Sequence, residues 1–136
     1  MARYLAIDPG DKRIGLAVGD DETRIVSPVG AIDSSNSDER IRQIGKAIES
    51  HSPGALVVGL PLNMDGTEGS SARKARALAT ELSQEFRLPV HLVDERLTTH
   101  VADDQLSATD LSRKAKRARR DALAAATILR DFLESR

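Results

Sequence analysis

The run Arg3-Tyr4-Leu5-Ala6-Ile7-Asp8-Pro9-Gly10-Asp11-Lys12-Arg13-Ile14-Gly15-Leu16-Ala17-Val18-Gly19 decides how the fold is read. Residues 3–8 and 14–19 are short apolar runs, and Pro9 and Gly10 between them are strong turn formers, so a β-hairpin is predicted. A third strand is expected near Ile25–Ile32. Asn36-Ser37-Asp38-Glu39 then offers a cap with Glu three residues on, and Ile41, Ile44 and Ile48 recur at helical spacing, giving a helix that ends before Pro53. Ala55-Leu56-Val57-Val58 lacks alternation and lies between Gly54 and Gly59, the pattern of a fully buried strand. A loop runs from Gly59 to Gly69. Ser70 and Ser71 are expected to cap a second helix with Ala75, Leu78, Ala79, Leu82 and Phe86 on its apolar face. Val90–Val93 reads as another buried strand, followed by a short helix from Thr98 or Thr99 toward Leu106. A polar, basic connection then leads to a last helix from about Asp121 to Leu133. An opening meander followed by strand–helix alternation implies an α/β fold: a five-stranded mixed sheet with helices packed on its faces.

At 136 residues with 40% apolar content, the chain suits one domain with a real core. It has no cysteine, which removes disulfides, thiolate nucleophiles and cysteine-bound zinc. Met1 leads straight into a strand-like run, without the pattern of a signal or membrane-spanning segment, so a soluble cytoplasmic protein with no membrane partner is expected. Its 20 basic and 21 acidic residues nearly cancel, which excludes a uniformly basic nucleic-acid-binding protein. Charge is concentrated locally, however. Six of the eight residues of Arg113-Lys114-Ala115-Lys116-Arg117-Ala118-Arg119-Arg120 are basic, a place for phosphate contacts or else a solvated face. Tyr4, Phe86 and Phe132 are the only aromatics, too few for a base-stacking sheet, so any nucleic acid would be held by its backbone.

Three acids stand where acid is locally awkward. Asp8 closes an apolar strand, Glu95 follows Val90-His91-Leu92-Val93, and Asp121 shares the helical spacing of the apolar Ala125, Ile128 and Phe132, so that it points inward. Ligands of mixed sheets bind beyond the carboxyl ends of the parallel strands, where Asp8 and Glu95 fall. Carboxylates converging there repel one another, and a divalent cation resolves the conflict. Oxygen-only ligands favour magnesium or manganese, which implies metal-assisted phosphodiester hydrolysis. Each acid has a plainer explanation when taken singly: Asp8 in turn hydrogen bonds, Asp121 at a helix start, Glu95 in a surface ion pair with Asp94 as the reactive acid instead. His51, His91 and His100 lack ligand spacing. The glycines around Lys12-Arg13 and between Gly59 and Gly69 suit phosphate approach and tight turns equally, and neither segment is a known nucleotide loop.

Four segments together resemble one family. They are Ala6-Ile7-Asp8-Pro9-Gly10 with Arg13-Ile14-Gly15-Leu16-Ala17, the loop Gly59-Leu60-Pro61-Leu62-Asn63-Met64-Asp65-Gly66-Thr67-Glu68-Gly69, the run Asp94-Glu95-Arg96-Leu97-Thr98-Thr99, and Asp121 with Ala124-Ala125 and Ile128-Leu129. The resemblance, nearly end to end, is to the YqgF family of RNase H-like proteins, known as pre-16S ribosomal RNA nucleases and as Holliday-junction-resolvase-like proteins. It implies an RNase H-like fold and makes Asp8, Glu95 and Asp121 the catalytic acids that bind Mg2+ or Mn2+, choosing Glu95 over Asp94. It places Arg13, Asn63, Arg96, Thr98 and Thr99 on the rim of the site. With Lys12 and the basic residues Lys114, Lys116, Arg117, Arg119 and Arg120, these form the expected nucleic-acid surface. One departure is the position directly before Asp121, usually apolar in the family, whereas here Arg119-Arg120 precede the acid; it extends the basic run toward the site.

The expected activity is a metal-dependent nuclease maturing precursor 16S ribosomal RNA ends, with a resolvase acting on branched DNA as the alternative. Junction cleavage calls for paired symmetric sites, so the oligomeric state, monomer or homodimer, bears on the choice. Two further classes compete. An ATP-binding domain of the actin and sugar-kinase type also begins with an acidic strand turn but needs two such domains. A non-catalytic nucleic-acid-binding factor would keep the fold without turnover, against which stands the presence of all three acids.

Overall fold

The computed structural model describes residues 2–33, 35–97 and 112–136. Five strands form one sheet: β1 (Arg3–Pro9), β2 (Arg13–Asp20), β3 (Val26–Asp33), β4 (Ala55–Leu60) and β5 (Val90–Asp94), in the order β3-β2-β1-β4-β5. The β1–β2 and β2–β3 pairs are antiparallel, β1–β4 and β4–β5 parallel. The expected hairpin is there, its register setting Asp8 opposite Gly15 and Pro9 opposite Ile14. Helices α1 (Ser37–His51), α2 (Ser70–Phe86) and α3 (Arg113–Glu134) cover the sheet.

Alternation along the strands sorts the core into two layers. Leu5 and Ile7 of β1, Ile14 and Leu16 of β2, and Leu56 and Val58 of β4 pack with Ile44 of α1 and Leu78 and Leu82 of α2. The intervening residues, Tyr4, Ala6, Ala17, Ala55 and Val57, face Ala125, Ile128, Leu129 and Leu133 of α3. Buried on both sides, β4 needs a continuous apolar run and has one: all six of its residues are buried. The Asn36 side chain caps α1 as expected, accepting from Glu39 N at 3.0 Å, and α1 ends before Pro53.

Three expectations need correction. The basic run is no connection. Ser112 caps a helix that already begins at Arg113, its hydroxyl accepting from Ala115 N at 3.2 Å, because Arg, Lys and Ala are all strong helix formers. Asp121 therefore sits in the third turn of α3, not at its start. Second, Ser70 and Ser71 do not cap α2: the N-cap is Gly69, which has no side chain to cap with, and the chain enters the helix with the Glu68 carboxylate 2.6 Å from Arg76 Nε. Third, β5 is an edge strand paired only with β4; none of its residues is fully buried, and Leu92 is 38% exposed. The expected helix after Thr98 lies outside the described residues.

Candidate active site

Asp8 continues the Tyr4–Ala6 alternation, so it projects on the α3 side of the sheet. Glu95 follows β5 in a single 3-10 turn, Glu95–Leu97, at the same end of the parallel strands. Its carboxyl hydrogen-bonds that of Asp8. Burial first, then the hydrogen bond and charge of Asp8, and finally Asp94, push the Glu95 carboxyl up from 4.5 to about 9. At neutral pH the pair holds a proton. Its neighbour Asp94 behaves oppositely, because the Arg96 guanidinium clasps it, Nη2 to Oδ2 at 2.7 Å and Nε to both oxygens at 3.1 Å, and holds it below the usual carboxylate range. The same Arg96 donates through Nη1 to the Met64 carbonyl at 3.1 Å.

Two glycines make the acid pair possible. Gly59 stands on β4, where a Cβ would overlap Glu95 Oε1 and come within 2.8 Å of Ile128 Cδ1. Gly15, opposite Asp8 on β2, lies so close to α3 that a Cβ would overlap the Asp121 carbonyl. The strands flanking β1 thus give up side chains where acids and helix must fit.

Asp121 reaches this face from α3 but is engaged elsewhere: Arg13 Nε, at the start of β2, donates to its Oδ2 at 2.6 Å. Among the described residues, no three His, Cys, Asp or Glu side chains lie close enough together to hold a metal ion. The structure joins two of the expected acids and ties the third to a cation. The donor set nevertheless fits magnesium or manganese: two carboxyls set side by side are oxygen ligands of the kind such an ion takes, and its charge would offset their repulsion.

Beside Arg13 opens a cleft of about 690 Å³, lined by the turn residues Asp11 and Lys12, by Asp33 at the end of β3, by Glu39 and Gln43 of α1, and by Lys114 and Arg117 of α3. Lys114, Arg117 and Asp121 are spaced i, i+3 and i+7, one face of the helix. Lys116, Arg119 and Arg120 do not line this cleft. No ion pair among the described residues engages Lys12, Lys114 or Arg117. Asn63 works inside its loop: its N–H donates to the Thr67 carbonyl at 2.9 Å and its Nδ2 to Thr67 Oγ1 at 3.0 Å, so it shapes the segment beside Arg96. Thr98 and Thr99 lie outside the described residues. His91 packs against the rings of Tyr4 and Phe132, among aromatic neighbours.

The model of the RuvX family, described as Holliday junction resolvase, matches residues 2–135. The chain belongs to the RuvX family. This is the family that the sequence motifs resemble under the name YqgF. The RuvX-family relatives include a protein of Anaeromyxobacter sp. (strain Fw109-5), 44% identical over 134 residues and covering 98% of both chains, and one of Geobacillus kaustophilus (strain HTA426), 39% identical over 136 residues, covering 98% of this chain and 99% of the other. Both carry the name "Putative pre-16S rRNA nuclease". The RNase H-like fold recurs in the RuvC of Thermus thermophilus bound to a Holliday junction substrate, at a TM-score of 0.60 and 18% identity over 100% of this chain and 96% of that one. Fowlpox virus resolvase bound to Holliday junction DNA aligns at 0.56 with 10% identity, over 98% and 97%.

Two features of this RuvX-family site have no assigned role in the sequence pattern. Gly15 and Gly59 read as phosphate-approach or turn glycines, whereas they clear space for Asp121 and Glu95. For Gly15 its position inside the run 14–19 was the available signal, since an interior strand glycine marks close approach, whereas Gly59 read as the end of a strand that in fact continues to Leu60. The second is the partnership of Arg13 with Asp121, which spans 108 positions and leaves no local pattern.

Proposed function

We propose that this protein is a divalent-metal-dependent nuclease that matures the ends of precursor 16S ribosomal RNA, with Asp8, Glu95 and Asp121 as its catalytic, metal-holding acids. The single observation that carries the reading is the Asp8–Glu95 pair: two carboxyls pressed together at the carboxyl ends of parallel strands, with Glu95 pushed up to about 9 by burial and by Asp8. Asp8, Glu95 and Asp121 would hold Mg2+ or Mn2+ there, and the ion would supply the positive charge that activates a water and stabilises the departing oxygen of a phosphodiester. The residues around it hold the substrate. Lys12, Arg13, Lys114 and Arg117 offer cations to phosphates along the cleft, and Arg96 fixes the loop after β4 against the turn that carries Glu95. The names of the curated relatives support ribosomal RNA as substrate.

The second reading, a resolvase acting on branched DNA, draws support from the description of the family and from the RuvC likeness of the fold. One assay separates them. Purified protein with magnesium or manganese is offered precursor 16S ends, short single-stranded RNA and four-way DNA junctions. Cleavage of the precursor ends that disappears in Asp8→Asn is the expected result. Junction cleavage alone would transfer the protein to the second reading, and binding without cleavage of any substrate would make it a non-catalytic factor.

A further inference from the structure

Arg13 belongs to the acid site and to the cleft at once. Its Nε holds Asp121 Oδ2 at 2.6 Å, while its side chain lines the cleft beside Lys12, Lys114 and Arg117. The side chains of Arg13 and Asp121 are 35% and 26% exposed, so the tie between them is partly open to solvent and to ligands. The backbone beneath it is not free to adjust, because Gly15 is packed against the Asp121 carbonyl. Any rearrangement here must be made by side chains.

We propose that Arg13 is a latch on Asp121: in the free protein it keeps the carboxylate from the Asp8–Glu95 pair, and a nucleic-acid phosphate entering the cleft draws the guanidinium away and releases Asp121 to that pair. The inference rests on the metal-dependent nuclease reading. Guanidinium binds phosphate in the same forked fashion as carboxylate, so the exchange trades one partner for another of like geometry. Lys12, Lys114 and Arg117, which no ion pair engages among the described residues, concentrate phosphate where the exchange occurs. Arg13 is then a positioning residue. The latch makes the complete carboxylate set appear with substrate, and by linkage each of the two binding events strengthens the other.

Two binding cycles without turnover test this. Mn2+ affinity is measured without nucleic acid in the wild type, Arg13→Gln, Asp121→Asn and the double variant. Arg13→Gln should tighten Mn2+ binding by roughly fivefold or more, a typical coupling, and should have no effect in the Asp121→Asn background. An equal gain in both backgrounds would reduce Arg13 to a through-space repulsion, and no gain would remove its hold on Asp121; either overturns the latch. Labelled single-stranded RNA is titrated in chelator for the second cycle. Asp121→Asn should tighten RNA binding when Arg13 is present and leave it unchanged in the Arg13→Gln background; equal effects in both would again overturn it. Should Arg13→Gln fail to fold, Arg13→Lys runs the same cycles with smaller expected changes. Mn2+-dependent cleavage accompanied by flat cycles defeats the latch alone. Absence of Mn2+ binding and of cleavage in the wild type defeats the nuclease reading along with it.

Discussion

Two carboxylate partnerships occupy the same face of the sheet and differ in one respect. Asp8 and Glu95 meet each other, like with like, and are left with a shared proton. Asp121 meets Arg13, and its charge is matched within the protein. The fold thus presses two carboxyls together where β1 and β5 end and supplies positive charge one strand away, on β2. An acid that is costly to keep without a cation is a better guide to a metal centre than one that already has its partner.

The largest effect that would sharpen this contrast is on turnover. Asp8→Asn and Glu95→Gln should each cut cleavage by on the order of 10⁴-fold, with strongly non-additive losses, as for residues that act as a unit. Both should fold at least as stably as the wild type, because each removes one member of a repelling pair. Asp121→Asn should lose activity comparably although its partner in the free protein is Arg13. Near-wild-type rates for it at saturating magnesium would split the two partnerships into site and scaffold.

Stability changes come next. Gly15→Ala sets a methyl against the backbone of α3, which cannot swing away, and should cost about 3 kcal/mol, the upper end for overpacking. Gly59→Ala meets the Glu95 carboxylate and the tip of Ile128, side-chain ends able to give way, and should cost about 1 kcal/mol while displacing Glu95. Denaturant midpoints decide it. A milder Gly15→Ala than Gly59→Ala would mean that α3 is not anchored on β2.

The pH dependence of stability follows from Glu95. Between its ordinary value of 4.5 and about 9, the folded state keeps a proton that the unfolded chain has lost, so this group makes stability fall as pH rises through that window and adds no slope outside it. Asp94, held low by Arg96, works in the opposite sense: its stabilisation is present above the ordinary value of 3.8 and is lost in acid. Thermal melts of Glu95→Gln should therefore lose most of the decline between pH 5 and pH 9. An unchanged decline would place the proton on another group.

Much of the fold was legible because its signals are local. The chain turns between Pro9 and Arg13, Asn36 caps α1, and the alternation of β1 aims Asp8. The start of α3 was misread because a dense charge run suggests a solvated connection, while the residues that make it up also favour helix, and the Ser112 cap decided the matter. From residue spacing alone the site was legible only as a set of residue types, and it was the family resemblance that chose Glu95 over Asp94. That Glu95 rather than Asp94 meets Asp8 depends on the register of β1, β4 and β5 and on the 3-10 turn after β5, which residue spacing does not encode.

The smallest predicted effect tests the cleft. Neutralising Lys114 and Arg117, which line it, should lower the magnitude of the slope of log affinity against log salt for single-stranded RNA by roughly 0.7 per lost contact. The pair Lys116 and Arg119, outside it, should change the slope less. Equal changes would make the whole basic run one diffuse surface.

If Asp8 and Glu95 hold the metal, its binding must expel the proton on Glu95, and a proton count shows whether it does. Mn2+ is titrated into the protein by calorimetry at pH 7 in two buffers of different ionisation enthalpy. Close to one proton should leave per ion bound in the wild type, because the Glu95 carboxyl must ionise to become a ligand, and close to none in Glu95→Gln. Mn2+ binding with no proton released by the wild type, or with the same release from both proteins, would contradict it.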